Sequence, residues 1–511
     1  MTVEKGLVIV FVIEQLAKHA EEQPDQVITS FQGRVTTYRD FYRQIKNLAA
    51  YFQGEGLQKG DLIAVYLHNS DSFLKSYYAC QLGGYIVLPV NTKLQASELA
   101  YIFTHSEAKA LIYDIRFTEV LNQLPIIVEG FSSTVPVGEG ELFDSVIHEN
   151  SLPFIEETID PEDTAVIFYT SGTTGKPKGV MLSGNNVKAV AEIWATAMDI
   201  TSEDRMHIVA PLFHCAASHV FSIPVIYRGG TIIIEETFSP ERTMRTMEEE
   251  KATIFFGVPA MYNLLLNTDK MSTLKLPNLR LFAYGAAPMP YELIKKMKAL
   301  FPDVKLQNLY GQTENSPAAT TLKDHYALNK IGSVGEPLPM TEVQVVDEFG
   351  KALPTGLVGE IVVKGPQVMK GYLKNEEETM RTIKNGWLYS GDLGRFDEDG
   401  LLFIVDRKKD MIIRGGENVY PVEVEEVLYE IPEILEAAVV GIPHLIYGEA
   451  PKAYIVCKQG RTLTKDDVTS YCQAKLASYK LPVEVDFINV LPRNASGKVL
   501  KNALRVDVRK V

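Results

Sequence analysis

Residues 164–179 read TAVIFYTSGTTGKPKG. The first seven are a nearly continuous run of β-branched and aromatic side chains, the composition of a strand buried on both faces. From its last residue onward come three glycines (Gly172, Gly175, Gly179), four hydroxyls (Thr170, Ser171, Thr173, Thr174) and two lysines (Lys176, Lys178). Glycine admits close backbone approach, hydroxyls donate hydrogen bonds, and ammonium groups add positive charge, which together make up a phosphate cradle. It is not a Walker A loop, because that motif has four residues between its first Gly and its Gly-Lys, and only two separate Gly172 from Gly175. A Ser/Thr/Gly run is often a flexible linker; its place directly behind a buried strand argues against that here.

Working outward, strand-like runs alternate with helical patterns from Thr164 to Tyr310. TAVIFYT, MHIVAP, TIIIEE, TIFFGV, LRLFAYG and KLQNLYG are interleaved with helical stretches at 185–198, after His214, and at 240–250, 259–266 and 290–300. This order predicts an α/β protein, a mainly parallel sheet covered by helices on both faces. DLIAVYL, a helical stretch at 72–82 and GGYIVLPVN form an earlier unit of the same kind. Ligands of such sheets collect at the carboxyl ends of strands, in loops leading into helices. After Tyr310 the texture becomes β-rich and punctuated by Gly and Pro. A charged stretch, Asp406-Arg407-Lys408-Lys409-Asp410, then precedes an apolar strand, the Gly415-Gly416 turn and a helix opened by Pro421. What remains suffices for a small α+β domain. The expected division is a large domain over 1–408 and a small one over 409–511.

At roughly 100–200 residues per domain, 511 residues allow about three compact units. Apolar residues make up 46% and charged residues 23%, so the chain should fold. The net charge of −14 leaves no basic excess for an extended phosphate-backbone footprint, and no nucleic-acid partner is expected. A locally positive pocket can still hold a nucleotide. The four cysteines (Cys80, Cys215, Cys457, Cys472) show no C-x-x-C pairing and read as free thiols of a reducing compartment. Leu7 to Ile13 resembles a weak signal h-region, but Glu14, Lys18, Glu21 and Glu22 follow at once, the pattern of an element docking its apolar face. No run approaches the ~20 apolar residues of a spanning helix. A cytoplasmic protein without an integral membrane segment is expected.

TSGTTGKPKG resembles the signature loop of the acyl-adenylate-forming superfamily, which includes acyl-CoA synthetases, amino-acid adenylation domains and firefly luciferases. The resemblance continues in order through APLFH (210–214), YGAAPMP (284–290), YGQTE (310–314), YSGDLG (389–394), DRKKDMIIRGGENVYP (406–421) and PRNASGK (492–498). It is nearest to the fatty-acid-CoA ligase branch. It implies the fold of that superfamily, a large domain with a β-rich subdomain and a small mobile C-terminal domain, and a reaction using ATP, Mg²⁺ and CoA. The chemistry is coherent: a carboxylate is a poor acyl donor until AMP gives it a leaving group, and attack on the α-phosphate demands charge neutralisation and alignment.

The resemblance also assigns residues. Thr170, Ser171, Gly172, Thr173, Thr174, Gly175 and Lys178 would cradle phosphate. Gly285, Ala286, Ala287, Gly311 and Gln312 would border the nucleotide and the acid, with Tyr310 stacked on adenine. Thr313 would contact the α-phosphate and Glu314 would hold Mg²⁺. Alone, YGQTE reads equally as a strand-end Tyr and a surface Glu. Asp392 would accept both ribose hydroxyls and Arg407 would make a second ribose contact, against the plainer alternatives of a turn Asp and an Arg paired to Asp406 or Asp410. Lys498 would bridge the carboxylate and the α-phosphate during adenylation.

Lys409 occupies the hinge position, where many relatives have Asp. After domain rotation, Gly415 and Gly416 would leave room for pantetheine, though a plain hairpin turn fits them too. His214, Val220, the 256–258 stretch, Ser316 and Pro317 would line the acid pocket, His214 as an aromatic wall and not a metal ligand; a core histidine is the alternative. No Asp in that set pairs an α-amino group. The implied substrate is a medium- or long-chain fatty acid. An aryl carboxylate or a carrier-protein thiol is the alternative partner, a non-catalytic acyl-nucleotide-binding regulator is the rival from another class, and a homodimer is allowed.

Overall fold

The computed structural model describes residues 11–149, 152–170, 176–268, 274–408, 410–493 and 499–506. They fall into two compact units, one of residues 1–329, 337–342 and 363–388, the other of 330–336, 343–362 and 389–511.

The first unit holds two sheets. In one, Ile86–Pro89, Leu62–Tyr66, Ala110–Asp114 and Ser133–Val137 run parallel to one another, and Thr164–Thr170 joins them beside Ile86–Pro89. In the other, Val27–Phe31, Thr231–Ile234, Arg205–Ile208, Ile254–Gly257, Leu281–Gly285 and Lys305–Tyr310 are parallel neighbours. Leu62–Tyr66 and Leu281–Gly285 are buried along their whole length, which is why their sequences lack polar alternation. This is the α/β architecture expected from the sequence.

Helices begin where the chain supplies a cap or a proline. Ser70 accepts from the Phe73 amide to start Asp71–Gly83, and Ser183 with Asn186 forms a reciprocal box at Gly184–Ala197. Pro240 and Pro259 open Pro240–Glu249 and Pro259–Leu266, where the missing N–H costs nothing. Val12–Glu22 is an amphipathic helix that buries Val12 and Leu16, while residues 7–10 of the early apolar run lie outside the described residues.

One expectation is corrected. The element that follows the glycine-rich segment is a strand and not a helix: Lys178–Ser183 pairs antiparallel with Thr164–Thr170, Thr170 opposite Lys178. A further two-residue strand, Gly371–Tyr372, pairs antiparallel with Lys178–Ser183 on its other side.

The second unit carries an antiparallel region in which Asp392 of Trp387–Phe396 lies opposite Arg407 of Leu402–Arg407. It also carries an α+β region whose sheet contains Ile412–Arg414, Glu417–Val419, Ile434–His444, Gly448–Cys457 and Glu484–Phe487. Ile412, Val424, Leu428, Val439, Ile455 and Val468 are fully buried in a core of that region's own. No helix among the described residues is long and apolar enough to cross a membrane.

Candidate active site

Four parallel strands of the first unit end at one edge. Phe255 pairs with His207, Gly257 with Tyr284 and Gly285 with Leu309, so the segments after Ile208, Gly257, Gly285 and Tyr310 leave the sheet side by side. APLFH, the 256–258 stretch, Gly285-Ala286-Ala287 and Tyr310-Gly311-Gln312-Thr313-Glu314 therefore share the carboxyl edge, where open α/β sheets bind ligands. Two glycines there are required by packing alone. A Cβ on Gly285 would lie 2.5 Å from the Leu309 carbonyl oxygen, and one on Gly311 would lie 2.4 Å from the Pro317 carbonyl carbon. Ala286 and Ala287 are exposed.

The YGQTE segment closes in a short 3₁₀ turn, Thr313–Asn315, whose Asn315 side chain accepts from the Gln312 amide at 2.8 Å. Ser316 follows with φ 53°, and its hydroxyl donates to the Gln367 carbonyl at 3.1 Å. Glu314 is held twice. Its carbonyl accepts from the Met369 amide at 2.9 Å, and Oε1 accepts from the buried Tyr372 hydroxyl at 3.0 Å. Oε2 takes no hydrogen bond among the described residues.

Lys178 lies 4.9 Å from the Tyr372 ring centroid and pairs with Glu378, both side chains of that pair being mostly buried. Thr170 is half-buried at the strand end; Ser171, Gly172, Thr173, Thr174 and Gly175 lie outside the described residues.

The APLFH segment is fixed from a distant part of the chain. The buried Asn69 donates to the Ala210 carbonyl at 2.8 Å and the Glu235 carbonyl at 3.1 Å, and accepts from the Leu212 amide at 2.7 Å. His214 follows, with Nε2 shut off from solvent and without a partner among the described residues. Burial, reinforced by Lys93, lowers its pKa to about 4, so the imidazole is neutral near pH 7. That suits a pocket wall and argues against a proton-transfer role. A π-helical turn, Ala216–Ser222, comes next, a feature frequent at functional sites. Val220 is buried on it, and Phe221 stacks on Phe256 at 4.0 Å between centroids.

In the second unit Asp392 is buried and lies 3.3 Å from Arg407 Nε, so Arg407 pairs with Asp392 and not with Asp406 or Asp410. Asp406 instead accepts from the Arg407 amide at 2.6 Å and the Val422 amide at 3.1 Å, the latter in the first turn of Pro421–Tyr429. Burial raises its pKa to about 6 despite these bonds and Lys501. Asp410 accepts from Arg505 at 2.9 Å. Gly415 and Gly416, with φ 61° and 92°, form the exposed tip of a hairpin in which Arg414 lies opposite Glu417. Lys409 and Lys498 lie outside the described residues.

With this geometry in place, comparison with known proteins gives a direct answer. The profile of the AMP-binding enzyme family matches residues 16–373, and that of the AMP-binding enzyme C-terminal domain matches 423–498. The chain is an AMP-binding enzyme of the acyl-adenylate-forming superfamily. A feruloyl-CoA synthase of Amycolatopsis sp is 35% identical over 96% of this chain and 97% of its own length. A long-chain-fatty-acid–CoA ligase of Mycobacterium tuberculosis is 34% identical over 92% of each chain. Among solved structures, ATP-bound MatB from Rhodopseudomonas palustris superposes with a TM-score of 0.90 at 30% identity, covering 98% of this chain and 99% of that one. These relatives place the AMP-binding enzyme in the CoA-ligase branch, whose members use ATP, Mg²⁺ and CoA.

The residues of this AMP-binding enzyme fit that set. Glu314 offers a carboxylate with one oxygen occupied and the other without a hydrogen bond among the described residues, a donor suited to a hard cation. Among the described residues no three His, Cys, Asp or Glu gather into a metal-holding group. A cation at Glu314 would therefore lean on phosphate oxygens and water, as Mg²⁺ commonly does. Tyr372, Glu378, Asn69 and the Asp406 cap escape sequence reasoning, because each acts across a gap in the chain that no local pattern marks.

Proposed function

We propose that the chain is an ATP-dependent acid:CoA ligase acting on a medium- or long-chain fatty acid through an acyl-AMP intermediate. In the first step a carboxylate oxygen attacks the α-phosphorus and pyrophosphate leaves. In the second the CoA sulfur attacks the acyl carbon and AMP leaves. The observation that carries this is the sharing of one sheet edge by APLFH, Gly285 to Ala287 and the Tyr310–Glu314 turn, matched to the adenylating family's motifs.

In this proposal adenine rests on Tyr310 and the ribose on Asp392 with Arg407. Thr313 and the 170–178 loop take phosphate, and Lys498 supplies positive charge as it is needed on the α-phosphate. Glu314 would hold Mg²⁺, which when bound would supply screening of phosphate charge. His214, neutral, forms part of the acid's wall. A small domain of residues 409–511 turns about a hinge near Lys409 between the two steps, and Gly415 and Gly416 leave the pantetheine arm its passage. The free thiols fit a cytoplasmic setting.

A second reading, an aryl acid, is favoured by the Phe221–Phe256 stack in the segments assigned to the pocket wall, since flat apolar surfaces suit a ring. AMP release with and without CoA, across acids from short to long and including benzoates and cinnamates, tests both. CoA-dependent turnover greatest on C8–C18 acids is expected. Turnover confined to aryl acids selects the second reading, and no CoA-dependent turnover on any acid overturns both.

A further inference from the structure

Tyr372 stands 58 positions from Glu314 in the chain, yet its hydroxyl meets one oxygen of that carboxylate. The phenol is fixed on every side. Its amide donates to Thr379 Oγ1 at 2.9 Å, its strand pairs Tyr372 with Val180, and its ring lies in the main apolar core of the first unit. Lys178 stands over the ring and is itself tied to Glu378. Glu378 in turn lies in the first turn of the short helix Glu376–Thr382, where the Asn375 side chain accepts from its amide at 3.1 Å. A buried tyrosine hydroxyl usually finds a hydrogen-bond partner, and here it meets the carboxylate of the YGQTE turn, with Thr382 as a further neighbour.

We propose that Tyr372 is a positioning residue for Glu314: it holds Oε1, fixes the rotamer of the carboxylate and leaves Oε2 for the cation, while Lys178 and Glu378 hold the phenol in place. The proposal rests on the assignment of Glu314 to Mg²⁺. A side chain that hydrogen-bonds a ligating carboxylate in this way orients it without touching the metal. It also gives Lys178 a task besides phosphate contact, since its ammonium is committed to Glu378 in the described conformation.

The test uses the full-length protein with α,β-methylene-ATP, which cannot release pyrophosphate, and reads Mn²⁺ affinity by electron paramagnetic resonance. Tyr372→Phe keeps the ring and removes only the hydroxyl; it should weaken Mn²⁺ binding by about 10-fold, the size expected when a ligand loses the hydrogen bond that orients it. Glu314→Gln should weaken it at least as much, and adding Tyr372→Phe to Glu314→Gln should change nothing more. In turnover the Mg²⁺ concentration for half-maximal rate should rise in Tyr372→Phe while the KM for the acid stays put. Unchanged Mn²⁺ affinity in Tyr372→Phe, with Glu314→Gln clearly impaired, overturns the proposal and leaves the Glu314 assignment standing. Unchanged affinity in Glu314→Gln overturns the assignment itself. Additive losses in the double variant would show that Tyr372 acts by another route and would also overturn the proposal.

Discussion

The carboxyl edge of the first unit and the glycine hairpin of the second are both glycine-dependent, for opposite reasons. At the edge, Gly285 and Gly311 have ordinary backbone conformations, and a single methyl group would strike neighbouring backbone. At the hairpin, Gly415 and Gly416 adopt left-handed φ, are exposed, and a Cβ on Gly416 would meet nothing within 4 Å. The first arrangement is closed by contact; the second is open space under a turn. The edge is further pinned by side chains from afar, Asn69 on APLFH and Tyr372 on Glu314, while the hairpin tip projects into solvent. In the proposed reaction, adenylation, which must align a carboxylate with a phosphorus atom, would draw on the tightly held region, and the thin thiol arm would pass by the open one.

The largest expected effect that breaks this contrast is Gly311→Ala. The added methyl must push the 310–314 turn off Pro317, and a shift of order 1 Å at a reacting centre costs about 100-fold in rate. Acyl-AMP formation should fall by that order, and stability by about 1–3 kcal/mol from overpacking. Gly416→Ala, which meets open space, should leave acyl-AMP formation unchanged. Single-turnover pyrophosphate release on both variants checks the pair, and equal losses would erase the distinction.

Next comes Asn69→Leu. It strands the Ala210 and Glu235 carbonyls and the Leu212 amide, each unpaired group costing about 1–3 kcal/mol. Thermal unfolding should shift down, and the KM for the acid should rise as the His214 segment loosens. A lowered melting point with an unaltered KM would confine Asn69 to folding.

Asp406 gives the smallest effect. Its pKa, raised from 3.8 to about 6 by burial, means that the folded chain binds its proton more tightly than the unfolded chain. Between those values the native state carries more protons, so this group's contribution to stability grows as pH falls from about 7 toward 4 and is lost as pH rises through about 6. Two pKa units correspond to on the order of 2–3 kcal/mol. Asp406→Asn should flatten the pH dependence of local opening around Val422, followed by hydrogen exchange. The same slope in variant and parent would refute the assignment.

Much of the fold is legible in the sequence for physical reasons. Strands such as TIIIEE and LRLFAYG are buried on both faces and therefore continuously apolar, and Pro240, Pro259 and Pro421 mark helix starts where a proline N1 is tolerated. The strand pairing within 164–183 was not legible. KGVMLS is short and opens on Lys-Gly, and its identity as a strand comes from pairing with Thr164–Thr170 and Tyr372, not from its composition. Motifs single out Glu314, Asp392 and Gly416 as candidates, but not what holds them. Tyr372 lies in a strand of two residues, and Asn69 looks like an ordinary helix-leading turn; their partners are set by tertiary contact alone. Arg407 was open between ribose and an acidic neighbour in the sequence, and only the register of its strand puts Asp392 opposite it.

The two half-reactions measured separately in Lys498→Ala and Gly416→Leu probe the two-step ligase most directly. Lys498→Ala should lose acyl-AMP formation by about 1,000-fold or more while still converting supplied acyl-AMP and CoA to thioester, and Gly416→Leu should show the reverse. If each variant lost both half-reactions equally, activation and thiol transfer would not be separable in this chain, and the account would be wrong.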